Sequence, residues 1–244
     1  MLPFLNIFGV ALAFPPLVLI AGLWIGAWLS EKHAAKYQIH PEMIYNLLFT
    51  ALVAYILGGR LGYAAQYPSA FIDDPISLVS RNFGLFDPLS GGVIATVAVF
   101  IYGQRKNLKL WPTLDAITPG LAVFMLSVPI ANFASGNAFG APAQLPWAIE
   151  MWGLDRHPVQ LYEAAAAGLI LWLVWPSRQS NQSPGLYFLQ FLAYTAFARL
   201  FFEGFRGSSP ITVFNLRQAQ LIAWGILALS LWGLSKLGQR SRPQ

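Results

Sequence analysis

Seven apolar stretches, at about 4–29, 44–66, 87–103, 113–134, 160–176, 185–204 and 216–235, occupy most of this 244-residue chain. Each is near the roughly 20 residues that a helix needs to cross a hydrocarbon core, the third and fifth being short. Lipid offers backbone N–H and C=O groups no partners, so such stretches form helices that satisfy themselves. The sequence therefore predicts an all-α polytopic membrane protein of about seven transmembrane helices. Nothing in it marks out a soluble domain, and one transmembrane domain over 1–244 is expected.

The uneven distribution of Lys and Arg sets the expected orientation. Lys32, Lys36, Arg105, Lys106, Lys109, Arg178, Lys236, Arg240 and Arg242 fall on one side, against Arg81, Arg156, Arg206 and Arg217 on the other. The positive-inside rule then puts the amino terminus outside and the carboxyl terminus in the cytoplasm. No Lys or Arg precedes the first apolar stretch, so it is not expected to be a cleaved signal peptide. The formal net charge of +5 is explained by these cytoplasmic loops, and nucleic-acid binding is not expected. With no cysteine, the chain has no disulfide, no thiolate metal site and no cysteine nucleophile. His33 and His40 show no metal-ligand spacing, and neither metal nor organic cofactor is expected.

Only 10% of the residues are charged, which makes the ionisable groups inside apolar stretches conspicuous. An ion at membrane depth is costly, by roughly 2.5–3.5 kcal/mol on the mildest scale, and is a functional-site candidate for that reason. Arg60, Glu163, Arg199 and Glu203 are such groups, with Arg206 at a boundary and His157 just before the fifth span. Arg199 lies about 21 Å along the sixth span at 1.5 Å per residue. With Asn132 ending the fourth span and Ser90-Gly91-Gly92 opening the third, these groups converge on the outer level.

Arg199, Glu203 and Arg206 recur at i, i+4 and i+7, one face of a helix. That face suits an anionic headgroup, since the planar guanidinium bonds phosphate oxygens in pairs. A snorkelling anchor at the helix end is the alternative reading, strongest for Arg206. Glu163 requires a partner in lipid and is expected to accept from an Arg of another helix. Pro158 fits the first turn of the fifth span, where its missing N–H costs nothing. Gly58, Gly59 and Gly62 allow close helix approach around Arg60, and Trp147 and Trp152 fit an interfacial belt. Pro129 predicts a break in the fourth span.

Several of these elements together resemble the prolipoprotein diacylglyceryl transferase family over almost the full length. Gly59-Arg60-Leu61-Gly62-Tyr63 is similar to its small-Arg-Leu-Gly-Tyr element. Asp115 through Pro119, then Asn132-Phe133 and Gly140, resemble the signature that crosses the fourth span. His157-Pro158-Val159-Gln160-Leu161-Tyr162-Glu163 matches its His-Pro-x-Gln-Leu-Tyr-Glu element, Tyr194, Arg199, Glu203 and Arg206 its sixth span, and Gln220 the glutamine opening the last. The chain departs from the pattern at Ser90, where the family has His, and at Pro129 and Asn137, where it has Arg and Glu.

The resemblance implies an enzyme of the bacterial inner membrane with its site facing the outer leaflet. It would move the diacylglyceryl group of phosphatidylglycerol to the lipobox cysteine thiol of a prolipoprotein signal peptide. Arg199, Glu203 and His157 are then the expected catalytic residues, His157 as the fallback base. Arg60, Tyr63, Asn132, Gly140, Tyr162, Glu163, Tyr194 and Arg206 are expected to bind substrate. Two other readings stay open. One is a relative that binds phospholipid or a lipoprotein signal peptide without turnover. The other is a transporter, which the gathering of charges at one level disfavours.

Overall fold

A computed structural model describes residues 4–7, 10–80, 82, 84–175, 183–209 and 217–240. Arg81, Arg178 and Arg242 of the loop-charge pattern lie outside the described residues. The described chain is almost entirely helical. Its long helices are α1 (Phe14–Ala34), α2 (Pro41–Gln66), α4 (Pro88–Arg105), α5 (Leu110–Ser135), α6 (Val159–Leu173), α7 (Leu186–Glu203) and α8 (Gln218–Arg240). A six-residue α3 (Pro68–Asp73) follows α2. Four of the long helices, α1, α2, α5 and α8, have both the length and the apolar composition to cross a membrane. As the short fifth stretch foretold, α6 has only 15 residues.

Two expectations need correction. The first apolar stretch is not helical throughout: β1 (Phe4–Ile7) and β2 (Val10–Ala13) pair as an antiparallel hairpin, and helix begins only at Phe14. Apolar composition alone does not separate strand from helix over so short a run. Nor does Pro129 break the fourth span, because α5 continues through both Pro119 and Pro129. Just before each proline a hydroxyl donates to a helix carbonyl, Thr118 to Leu114 O and Ser127 to Phe124 O, at 2.8 and 2.6 Å. These hydroxyls bond carbonyls one residue away from the ones the prolines leave free, those of Asp115 and Met125.

The chain divides into two compact units, Met1–His33 with Leu114–Gln244, and Ala34–Thr113. In the second, α2 and α4 pack along a seam of small residues. A Cβ on Gly58 would collide with Ile94, on Gly59 with Phe86, on Gly62 with Ser90, and on Gly91 with the Tyr55 carbonyl. The Arg60 guanidinium donates to the carbonyls of Leu85 (2.9 Å) and Ser80. Asp87 caps α4 by accepting from the backbone N–H and the hydroxyl of Ser90.

In the first unit, α5, α6 and α7 share a core of Ala122, Ile170, Val174 and Phe191, and α8 packs along α7. Helix α1 meets α5 closely, since a Cβ on Gly120 would strike the Gly26 carbonyl and the Ser30 hydroxyl. One buried carboxylate fixes the start of α7. Asp115 of α5 accepts from the backbone N–H groups of Gly185 (2.6 Å) and Phe188 (3.0 Å). Free N–H groups and the helix dipole both favour an anion there. Gly185 takes φ 95° at this cap, a conformation glycine adopts without penalty.

Candidate active site

Four charged side chains from α6, α7 and the turn after α7 form one ionic cluster. Arg206 grips Glu163 in a fork, with its Nη2 2.7 and 2.8 Å from the two carboxylate oxygens and its Nε at 3.1 Å. Arg199 reaches the same carboxylate at 3.4 Å and sets its Nε 3.0 Å from Glu203 Oε2. Glu203 also lies 3.7 Å from Arg206 Nε. It is wholly buried, and neither carboxylate oxygen has an aligned hydrogen bond among the described residues. Its contacts to the guanidiniums are therefore electrostatic and not directional.

The expected shared face holds for Arg199 and Glu203, one turn apart on α7. Arg206 lies past the helix end, yet its side chain returns to the same carboxylates. Exposure distinguishes the two arginines: the Arg199 side chain is 38% exposed and that of Arg206 only 10%. Arg206 is thus the more enclosed of the two, and Arg199 is the more accessible guanidinium.

Beside the cluster is a cavity of about 150 Å³. Met125, Val128 and Pro129 of α5, Ala166 and Ala167 of α6, and Ala198 and Phe202 of α7 give it an apolar wall. Glu163, Arg199 and Arg206 are its charged side. An apolar recess bounded by guanidiniums suits a molecule that joins hydrocarbon to an anionic group.

The segment between α5 and α6 is stitched to the end of α7. Ala141 N–H donates to Phe205 O (2.8 Å), Gly207 N–H to Phe139 O (3.0 Å), and His157 N–H to Ala141 O (3.0 Å). Gly140 and Arg206 face each other in a bridge, and Arg156 donates to the Gly140 carbonyl at 3.2 Å. A hairpin of β3 (Ile149–Met151) and β4 (Leu154–Arg156) leads into α6. Pro158 precedes the first helical residue and is not within the first turn, one position earlier than expected.

Gly140 is sterically obligatory here, because a Cβ would enter the space of the His157 carbonyl, and a Cβ on Gly207 would in turn strike the Gly140 carbonyl. Gly140→Ala is expected to destabilise the protein by about 1–3 kcal/mol, the usual cost of overpacking. Thermal unfolding in detergent measures this, and an unchanged midpoint would show that the segment can shift.

His157 packs its ring on Phe205 at 5.2 Å and on Tyr162 at 6.4 Å. Its Nδ1 is buried without a hydrogen bond among the described residues. Tyr162 stacks on Phe202 and accepts from the Trp147 indole at 2.8 Å. Both Trp147 and Trp152 remain largely exposed, as an interfacial belt requires.

The structure therefore unites Glu163, Arg199, Glu203 and Arg206, with Gly140, His157 and Tyr162 packed at the same end of α7. Asn132 is half-buried near the end of α5, where its backbone carbonyl accepts from Asn137 N–H. Tyr194 is exposed on α7. Neither side chain bonds to the ionic cluster among the described residues. Arg60 and Tyr63 belong to the second unit, where Arg60 is held by carbonyls and Tyr63 packs its ring at a tilt on Tyr67 and edge-on against Phe71.

Sequence reasoning missed Arg217, which it treated only as a loop charge. Its Nη1 donates to the backbone carbonyl of Glu203, at the end of α7. The polar group three residues on, the Gln220 side chain, accepts from Arg217 N–H at 3.1 Å, a local spacing that was legible in the sequence.

The chain is similar to known proteins over most of its length. The prolipoprotein diacylglyceryl transferase family matches residues 4–235. A phosphatidylglycerol–prolipoprotein diacylglyceryl transferase of Thermosynechococcus vestitus is 30% identical, over 96% of this chain and 91% of that protein. Proteins of the same name are 33% identical in Methylococcus capsulatus, over 73% of this chain and 70% of the relative, and 31% in Ruegeria pomeroyi, over 93% and 91%. A match running from the first strand into α8, and so containing every residue of the ionic cluster, means that this chain belongs to the prolipoprotein diacylglyceryl transferase family.

Proposed function

We infer that this protein transfers the diacylglyceryl group of phosphatidylglycerol to the cysteine thiol of a prolipoprotein signal peptide. The observation that carries the reading is the open Arg199 guanidinium beside an apolar cavity, in a chain that matches the family over 4–235. The donor lipid has the same two halves, acyl chains and a phosphodiester. The bacterial inner membrane is its setting, with the site toward the outer leaflet, where exported prolipoproteins arrive.

In the reaction the thiol loses its proton and sulfur attacks the glyceryl carbon that bears the phosphoester oxygen. A C–S bond forms as that C–O bond breaks, and the electron pair leaves with glycerol phosphate. The nucleophile arrives with the substrate, which is compatible with a chain that has no cysteine. Arg199 stabilises the charge that grows on the leaving phosphate. Glu163 and Glu203 hold Arg199 in position, and Arg206 holds Glu163. His157 is the base we assign to the thiol proton; with Nδ1 enclosed, Nε2 is the atom for that role. Tyr162, Tyr194, Asn132 and Gly140 complete the substrate-binding set of this unit.

One observation favours a second reading, a relative that binds phosphatidylglycerol or a signal peptide without turnover. Pro129 lines the cavity wall and brings it no charge. The two readings part in one experiment: purified protein in phosphatidylglycerol micelles is given a lipobox-cysteine peptide, and glycerol phosphate release is followed. Release that needs the peptide thiol and stops with a Cys-to-Ser peptide is the expected result. Lipid binding without release supports the second reading.

A further inference from the structure

The ionic cluster has no charge to spare. Arg199 and Arg206 are matched by Glu163 and Glu203, so the four side chains sum to zero. A phosphate entering beside Arg199 competes with two carboxylates that already hold it. The cavity wall offers no further cation, since its remaining lining is apolar. Yet a third guanidinium stands at the end of the same helix. Arg217 donates through Nη1 to the Glu203 carbonyl, the residue whose side chain supports Arg199.

Capping the last carbonyls of a helix is an ordinary task for an arginine. It uses one of the five N–H donors of the guanidinium. Among the described residues this is the only bond of the Arg217 side chain, and no carboxylate forms an ion pair with it. Its side chain is only half-buried. The cap therefore holds the guanidinium at the end of α7, and no carboxylate pairs with its charge among the described residues.

We propose that Arg217 is a third anion-binding residue of this site, supplying the unpaired positive charge that holds the phosphodiester of the lipid donor. This rests on the lipid-transfer reading above for the identity of the anion. With Arg217 the site has an excess of one positive charge, matched to one phosphodiester. The guanidinium fork can hold a phosphate oxygen while Nη1 keeps the Glu203 carbonyl. The charge also anchors the released glycerol phosphate only if that product stays where the lipid phosphate lay, so the two anions are tested separately.

The test compares wild type, Arg217→Gln and Arg217→Lys. Gln removes the charge but keeps an amide donor for the carbonyl, and Lys keeps both charge and donor. Binding of phosphatidylglycerol, of uncharged diacylglycerol and of free glycerol 1-phosphate is measured on each purified protein, together with KM and kcat for glycerol phosphate release. We expect Arg217→Gln to weaken phosphatidylglycerol binding and raise KM about tenfold, with Lys within about threefold of wild type. Diacylglycerol has no phosphodiester and its binding should not change, which also shows that the variant is folded.

Equal phosphatidylglycerol binding by wild type and Arg217→Gln overturns the proposal, as does a loss confined to free glycerol 1-phosphate. If Arg217→Gln proves unfolded, a Lys variant that binds phosphatidylglycerol no better than diacylglycerol also overturns it. Failure of the lipid-transfer reading looks different: wild type then binds phosphatidylglycerol in an Arg217-dependent way but releases no glycerol phosphate.

Discussion

Replacing Arg199 with alanine is expected to lower thiol-dependent glycerol phosphate release by about 10²–10³-fold, the range found when one preorganised donor to a developing anion is lost. The structure gives the reason for choosing this arginine over its neighbour. Arg206 spends its fork on Glu163 and is nearly enclosed, whereas Arg199 keeps 38% of its side chain exposed. The Arg199 guanidinium is oriented before substrate arrives, by Glu203 at 3.0 Å and Glu163 at 3.4 Å. Lysine at position 199 should recover only part of the loss, because an ammonium keeps the charge without the planar fork. The measurement is kcat in the micelle assay. Undiminished release by Arg199→Ala would mean that the ionic cluster is not the site.

Glu203→Ala should be the most damaging substitution for stability. The side chain is completely buried and lies between Arg199 and Arg206. Removing one partner of a buried ionic group leaves uncompensated charge and costs about 3–5 kcal/mol. At a few degrees per kcal/mol, the midpoint of thermal unfolding should fall by on the order of 10 °C. Glu203→Gln separates charge from volume: it fills the same space and should retain less than half of the stabilisation if the carboxylate charge is what matters. Equal midpoints for wild type and Glu203→Ala would remove Glu203 from the network. Activity should fall in both variants, because Arg199 then depends on the longer contact to Glu163 alone.

The seven long helices were legible because each apolar stretch is an independent requirement of lipid on the backbone. The hairpin at Phe4–Ile7 and Val10–Ala13 was not, since a short apolar run satisfies strand and helix equally. The unbroken α5 was also hidden. Whether proline ends a membrane helix depends on the tertiary neighbours around it, which local sequence does not contain.

Within the site, the i, i+4 spacing of Arg199 and Glu203 declared their pairing in advance. The need of Glu163 for a cationic partner was likewise fixed by its place in an apolar stretch. The sequence by itself thus determined that the chain is a bundle of membrane helices and that Glu163, Arg199 and Glu203 could not stand unpaired. Only the tertiary structure decided how the charges were shared: Arg206 to Glu163 as a clamp, Arg199 left open, and Arg217 brought to the Glu203 carbonyl. The physical reason is that burial sets the cost of an unpaired ion residue by residue. The choice of partner depends on distances between helices, which no local spacing contains.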